Sequence, residues 1–250
     1  MEQPAHEPSS HPSTGQTHPA AFPEGADAGA DAVQYGPDIP DESSLRLLGD
    51  PQGRRLVLLG AGGLNAVVLA KQGARVIVVD PGAETLERAR LAARQAEVNI
   101  ELNQAALHEL AFLRADSVDA VLSSYGLTGV DDLGRVFRQV HRILRHQSQF
   151  VFSLPHPASV LLDANSDDPL HLVRSWFDTS ARFWTSDGEQ GSDRPRSHSE
   201  LVTGLSRAGF VVDALREPEP TATGLHSRLW SDTFRWVPPT LIVRARKQGS

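Results

Sequence analysis

Cysteine is absent from the 250-residue chain, which removes disulfide scaffolds, thiolate metal sites and thiol nucleophiles in one step. Long apolar runs are missing too. No stretch approaches the eighteen residues that read as a membrane span, and the Met-Glu-Gln-Pro start has neither the basic nor the apolar part of a secretory signal. The expectation is a cytoplasmic protein with no membrane partner. Basic residues are lacking from residues 1–45, which hold eight acids and no Lys or Arg. The other 205 residues then carry 24 bases and 23 acids, a net of +1 against −7 for the whole. A neutral body with scattered arginines has no basic stripe, so no nucleic-acid partner is expected.

Large apolar residues are almost missing from residues 1–34, where five prolines stand among Ser, Gly, Ala and His. Such a segment cannot bury enough surface to offset its chain entropy, and it reads as a disordered tail. His6, His11 and His18 within it are irregularly spaced and are not expected to form a metal site.

What is present begins at Arg54. Leu56 to Leu59 is a short apolar run ending at Gly60, as in a buried parallel strand. Asn65 opens a helix that Gly73 ends, and Arg75 to Val79 is a second buried strand ending at Asp80. A helix over Glu84–Ala96, a weak strand over Asn99–Leu102 and a strand over Val118–Ser124 follow. Val130, Leu133, Val136, Phe137, Val140, Ile143 and Leu144 then form one helical stripe, before a fifth strand at Phe150–Phe152. Residues 155–197 break the alternation with Pro, His, Asp and aromatics. A helix from His198 to Arg207 and strands at Phe210–Leu215 and Thr240–Arg246 complete the chain. Strand and helix in alternation predict an α/β fold with a mostly parallel sheet covered on both faces.

Gly60-Ala61-Gly62-Gly63 carries the first strand onto a helix, and Asp80 ends the second strand about twenty residues later. Glycines let the backbone approach a ligand, and a carboxylate at that distance suits a ribose diol, so the pair reads as a nucleoside-binding constellation. Asn65 stands where the dinucleotide fingerprint has its third glycine, which counts against NAD.

Several ordered phrases together resemble the class I S-adenosylmethionine-dependent methyltransferases of the small-molecule type 11 kind. They are Leu59 to Ala66, Leu69 to Ala74, Val78-Val79-Asp80-Pro81, Val118 to Ser124, Phe137 to Arg145, Phe150 to Pro157, and the aromatic segment Tyr35-Gly36-Pro37-Asp38. The resemblance implies a Rossmann-like seven-stranded sheet with an antiparallel last strand, in a domain over residues 35–250 with an insertion at 155–197. It implies S-adenosylmethionine as cofactor, touched by Tyr35, Gly60, Ala61, Gly62, Asp80, Pro81, Ala106, Leu107, Ser123 and Tyr125. A small-molecule methyl acceptor would lie over the fourth and fifth strands, with His156 as general base and Trp176, Phe177 and Trp184 as a lid. The chain departs from the family pattern at Leu58, where an acid is usual, and at Leu64, Ala106, Gln139 and His146-Gln147-Ser148. These departures leave a second expectation, a noncatalytic member kept as a scaffold or regulatory partner. Glu217 and Glu219, alternating with Pro218 and Pro220, read as a strand exit rather than an acid–base pair. Ser123 and Ser124 lack the glycines of a nucleophile elbow. The oligomeric state is not legible.

Overall fold

The computed structural model describes residues 31–60, 64–163, 166–178, 180, 182–186, 189–221 and 230–249. In chain order these form α1 (Glu42–Leu45), β1 (Arg55–Leu59), α2 (Asn65–Lys71), β2 (Arg75–Asp80), α3 (Ala83–Gln95), β3 (Ile100–Gln104), β4 (Val118–Ser124), α4 (Leu133–Ile143), β5 (Leu144–Pro155), β6 (Arg182–Ser186), β7 (Glu189–Asp193), α5 (His198–Arg207), β8 (Phe210–Arg216) and β9 (Thr240–Lys247). Seven strands make one sheet in the order β3-β2-β1-β4-β5-β9-β8, and β6–β7 is a separate hairpin within the insertion. β1 to β5 run parallel, and β9 runs antiparallel to both β5 and β8. The expected Rossmann-like sheet with an antiparallel last strand is the one observed.

The unbroken apolar runs have a direct cause. Successive side chains of a strand point to opposite faces, and here both faces are covered. Val57, Leu59, Ile77, Val79, Val121, Phe150 and Phe152 face α4 and α5. Leu56, Leu58, Val76, Val78, Ala120, Leu122 and Val151 belong to the opposite cluster, with residues of α2 and with Val33, Tyr35, Ile39, Leu47 and Leu48 from the N-terminal segment.

Element limits differ from expectation where tertiary pairing outweighs local pattern. The stripe from Val130 to Leu144 becomes a helix only from Leu133, because the Asp132 side chain accepts the Arg135 N–H at 2.9 Å and caps it there. Leu144 is already extended and pairs with Val118, so β5 is far longer than its apolar centre at Phe150–Phe152. The polar stretch before that centre is held by pairing, not by hydrophobicity.

The tail boundary also moves. Residues 1–30 lie outside the described residues, but Val33 is 1% exposed and Gln34 is bonded into the body. Gln34 N–H donates to Asn65 Oδ1 at 2.8 Å, while Asn65 Nδ2 donates to Gln34 O at 2.7 Å and to Ser124 Oγ at 3.0 Å. Ser153 Oγ donates to Tyr35 O. Glu42 locks the return of this segment, accepting Tyr35 Oη–H at 2.6 Å and the N–H groups of Leu47, Leu48 and Gly49. Residues 33–49 therefore form a strap across one face of the sheet, reaching the carboxyl ends of β4 and β5.

Candidate cofactor and acceptor site

Strand order reverses between β1 and β4, and ligands of open α/β sheets bind at the carboxyl edge beside such a reversal. Gly60 stands at that edge with φ +82°, a conformation that disfavours any residue with a Cβ. A Cβ on Gly60 would also lie 2.8 Å from Gly126 Cα, and one on Gly126 would lie 2.4 Å from Leu59 O. The tips of β1 and β4 thus touch backbone to backbone. Ser123 Oγ–H reinforces the junction by donating to Leu59 O at 2.6 Å.

Asp80 ends β2, one strand away from Gly60. It is half-buried, and its Oδ1 accepts the Gly82 N–H at 2.7 Å, which fixes the carboxylate at the turn into α3. Backbone glycine on one strand end and a fixed carboxylate on the next fit a nucleoside.

Other expected cofactor residues stand differently. Ala61 and Gly62 lie outside the described residues. Pro81 and Ala106 flank the edge next to β2 and β3, while Leu107 is 7% exposed and belongs to the core. The Tyr35 hydroxyl is buried and spent on Glu42, and burial with that neighbouring acid raises its pKa well above the ordinary value. The Ser123 hydroxyl is likewise committed to Leu59 O. Tyr125 has φ +59°, is buried, and shares a hydrogen bond with Thr240 Oγ1 beneath Gly36. Burial raises its pKa as well. The side chains of Tyr35, Ser123 and Tyr125 therefore build the edge, and it is not their hydroxyls that they offer to a ligand.

On the other half of the edge, His156 leaves β5 at 5% exposure. Its Nε2 lies 2.9 Å from Glu217 Oε1, at the exit of β8, and His198 Nε2 at the start of α5 lies 2.9 Å from the same oxygen. The Ala158 N–H points at His156 Nδ1 at 3.1 Å. An amide N–H can only donate, so Nδ1 accepts and the proton sits on Nε2, which donates to the carboxylate. Burial lowers the His156 pKa against the opposing pull of Glu217, consistent with a neutral ring. Neither ring nitrogen offers a lone pair to a substrate. In this arrangement the His156 ring positions Glu217.

The ligand atoms of His156, His198 and Glu217 lie within 4.8 Å of one another, a spacing a cation can bridge. A metal-bound imidazole keeps its proton on the other nitrogen and donates it outward. His156 has the opposite tautomer, so the cluster is built as a carboxylate held by two N–H donors.

The sequence reads Glu217 as a strand exit and His198 as the start of a helix, and gives no sign that the two meet. The capping box of Ser197 and Glu200 was the available signal for the helix start that brings His198 into place. Glu217 and Glu219 open onto a groove of about 550 Å³, also lined by Trp230, Phe234, Arg235 and Trp236. Thr221 N–H donates to Asp38 O at 2.7 Å, joining this groove to the strap. Of the expected lid, Trp176 and Phe177 are 46% and 88% exposed, and the Trp184 side chain lies outside the described residues.

Residues 57–152 match the family model described as a methyltransferase domain. Over this stretch, the centre of the parallel sheet, the chain is similar to methyltransferase domains. A Listeria monocytogenes structure assigned to the S-adenosylmethionine-dependent methyltransferases superposes with a TM-score of 0.67 at 24% identity, covering 82% of this chain and 96% of that one. A Mesorhizobium loti S-adenosylmethionine-dependent methyltransferase gives 0.60 at 25% identity, covering 81% and 95%. A ubiquinone biosynthesis O-methyltransferase of Alkalilimnicola ehrlichii is 33% identical over 122 residues, 46% of this chain and 49% of that protein. The match thus spans about half the length of that curated relative.

Proposed function

We propose that this methyltransferase-fold chain transfers a methyl group from S-adenosylmethionine to a small-molecule acceptor. The observation that carries the reading is the pairing of Gly60 and Asp80 on adjacent strand ends beside the strand-order reversal. When bound, the cofactor supplies a sulfonium methyl, whose carbon–sulfur bond breaks as an acceptor lone pair attacks. The backbone at Gly60 and Gly126 would admit the nucleoside, and Asp80 would accept the ribose hydroxyls. Positioning then supplies much of the rate. The strap over the edge, pinned by Asn65, Ser124 and Ser153, supports exclusion of water from the reacting groups.

Calorimetry with S-adenosylhomocysteine tests this. Asp80→Asn keeps an oxygen for the Gly82 N–H while removing the charge. The expected loss of affinity is about 30- to 1000-fold, the worth of a charge-assisted pair of hydrogen bonds. Wild-type binding that Asp80→Asn leaves unchanged would refute the ribose role.

The buried Leu58, in place of the usual acid, favours a second reading. A chain that holds no adenosyl ligand at about millimolar concentration would be a noncatalytic scaffold or regulatory partner.

A further inference from the structure

We infer that the groove between Glu217 and Trp236 takes a protonated amine, which makes an amine the methyl acceptor class. The inference rests on the methyl-transfer reading for the acceptor role, but not for the binding itself.

The groove has the size of a small-ligand site, about 550 Å³, and it stands at the carboxyl edge on the β5–β9–β8 half of the sheet. Its walls combine the carboxylates of Glu217 and Glu219 with the rings of Trp230, Phe234 and Trp236. Aromatic faces carry negative quadrupole charge, so they and carboxylates attract the same guest, a cation with an apolar body. Among the described residues of the lining the one basic side chain, Arg235, lies 3.2 Å from Asp232 and is balanced by it. Glu217 is the organised element. His156 and His198 hold its Oε1 from two sides, each at 2.9 Å, and the neutral His156 ring orients the carboxylate without cancelling its charge. The hydrogen bond from His156 keeps the Glu217 carboxyl below the usual carboxylate range, so it is ionised at neutral pH. A fixed anion loses little side-chain freedom when a guest arrives.

Methyl transfer needs the neutral amine. The ammonium proton leaves to water, and the nitrogen lone pair forms the bond to the methyl carbon. The carbon–sulfur bond breaks and its electron pair stays on sulfur. The carboxylates bind and orient the amine; Glu217, a weak base, is not needed to take the proton.

Benzylammonium and its neutral counterpart benzyl alcohol are the probes. The full chain, labelled with 5-fluorotryptophan, is titrated with each, and its four tryptophan resonances are assigned by single Trp→Phe variants. Benzylammonium is expected to shift Trp230 and Trp236 saturably and to bind about tenfold or more tighter than the alcohol. Glu217→Gln and Trp236→Ala should each weaken it by about tenfold, and Glu219→Gln, a carboxylate outside the histidine cluster, should weaken it less. Equal binding of cation and alcohol, shifts confined to Trp176 or Trp184, or no saturation at about 10 mM would overturn the inference. S-adenosylhomocysteine is titrated in parallel. If it binds and benzylammonium does not, the amine inference alone fails. If benzylammonium binds and it does not, the methyl-transfer reading fails and an amine-binding groove remains.

Discussion

Gly126→Ala isolates the contact on which the cofactor edge depends. Gly126 has no positive φ, so alanine meets no conformational objection there. Its Cβ would stand 2.4 Å from Leu59 O, 2.9 Å from Ser123 Oγ and 3.0 Å from Gly60 Cα. Two of the three are backbone atoms at strand tips, which cannot swing away as a side-chain end can. Relief requires β4 to part from β1 by most of an ångström, and overpacking of this kind costs about 1–3 kcal/mol. Gly49→Ala is the complementary control: φ is +73° and nothing lies within 4 Å of the added Cβ, so only the left-handed conformation is penalised, by about 1–2 kcal/mol. Gly60→Ala combines φ +82° with a 2.8 Å approach to Gly126 Cα and should cost about the sum. Urea denaturation measures all three, and each kcal/mol should appear as about 2–4 °C in a thermal melt. Calorimetric titration with S-adenosylhomocysteine then separates them. Gly49→Ala should leave binding unchanged, whereas Gly126→Ala and Gly60→Ala should abolish it at stabilities where the fold persists. Stability and binding both untouched in Gly126→Ala would refute the close approach and the placement of the ligand.

Asn65→Leu removes the partner of the half-buried Gln34 N–H and leaves its carbonyl with Ser124 Oγ–H alone, which should cost about 1–3 kcal/mol, with amides of residues 33–48 exchanging with deuterium much faster than those of β4. Removing residues 1–30 should leave the melting temperature within a few degrees, while removing 1–35 should lower it strongly, because Val33 and Tyr35 go with it. The buried His156 has its pKa lowered from the ordinary 6.5, so its contribution to stability is full above 6.5 and is lost as pH falls toward the folded-state value. Urea titrations from about pH 8 to pH 5 should show wild type losing more stability than His156→Gln below 6.5. Equal slopes would show that His156 is not held neutral.

The parallel half of the fold was legible because both sheet faces are buried. Leu56 to Leu59, Arg75 to Asp80 and Val118 to Ser124 announce themselves as apolar runs, and Gly60 and Asp80 stand where those runs stop. The strap was only partly legible. Tyr35 was visible as an aromatic residue, but its anchor Glu42 gathers the N–H groups of Leu47, Leu48 and Gly49 through turn geometry that no periodic pattern records. Gly126 was missed because its requirement is the neighbouring tip of β1, a contact across more than sixty residues. The histidine cluster was missed for the same reason. His156, His198 and Glu217 come from three separate elements, and only the β5-β9-β8 order of the sheet, with α5 leading into β8, brings them together.

Leu58 shows how a motif departure and a structural gain are connected. The acid usual at this position would be a charge beside the cofactor. Here the side chain is 3% exposed and belongs to the same apolar cluster as Val33 and Tyr35 of the strap. Replacing Leu58 with Glu would therefore bury a carboxylate among apolar side chains before it met any ligand, a cost that an isolated charge does not recover. The apolar residue and the docked strap support one another: leucine gives the strap a surface to pack on, and the strap keeps water from that surface. Under the proposed function, closure of the edge goes with the loss of a charge at Leu58, and recognition would rest on Asp80 and on the backbone at Gly60.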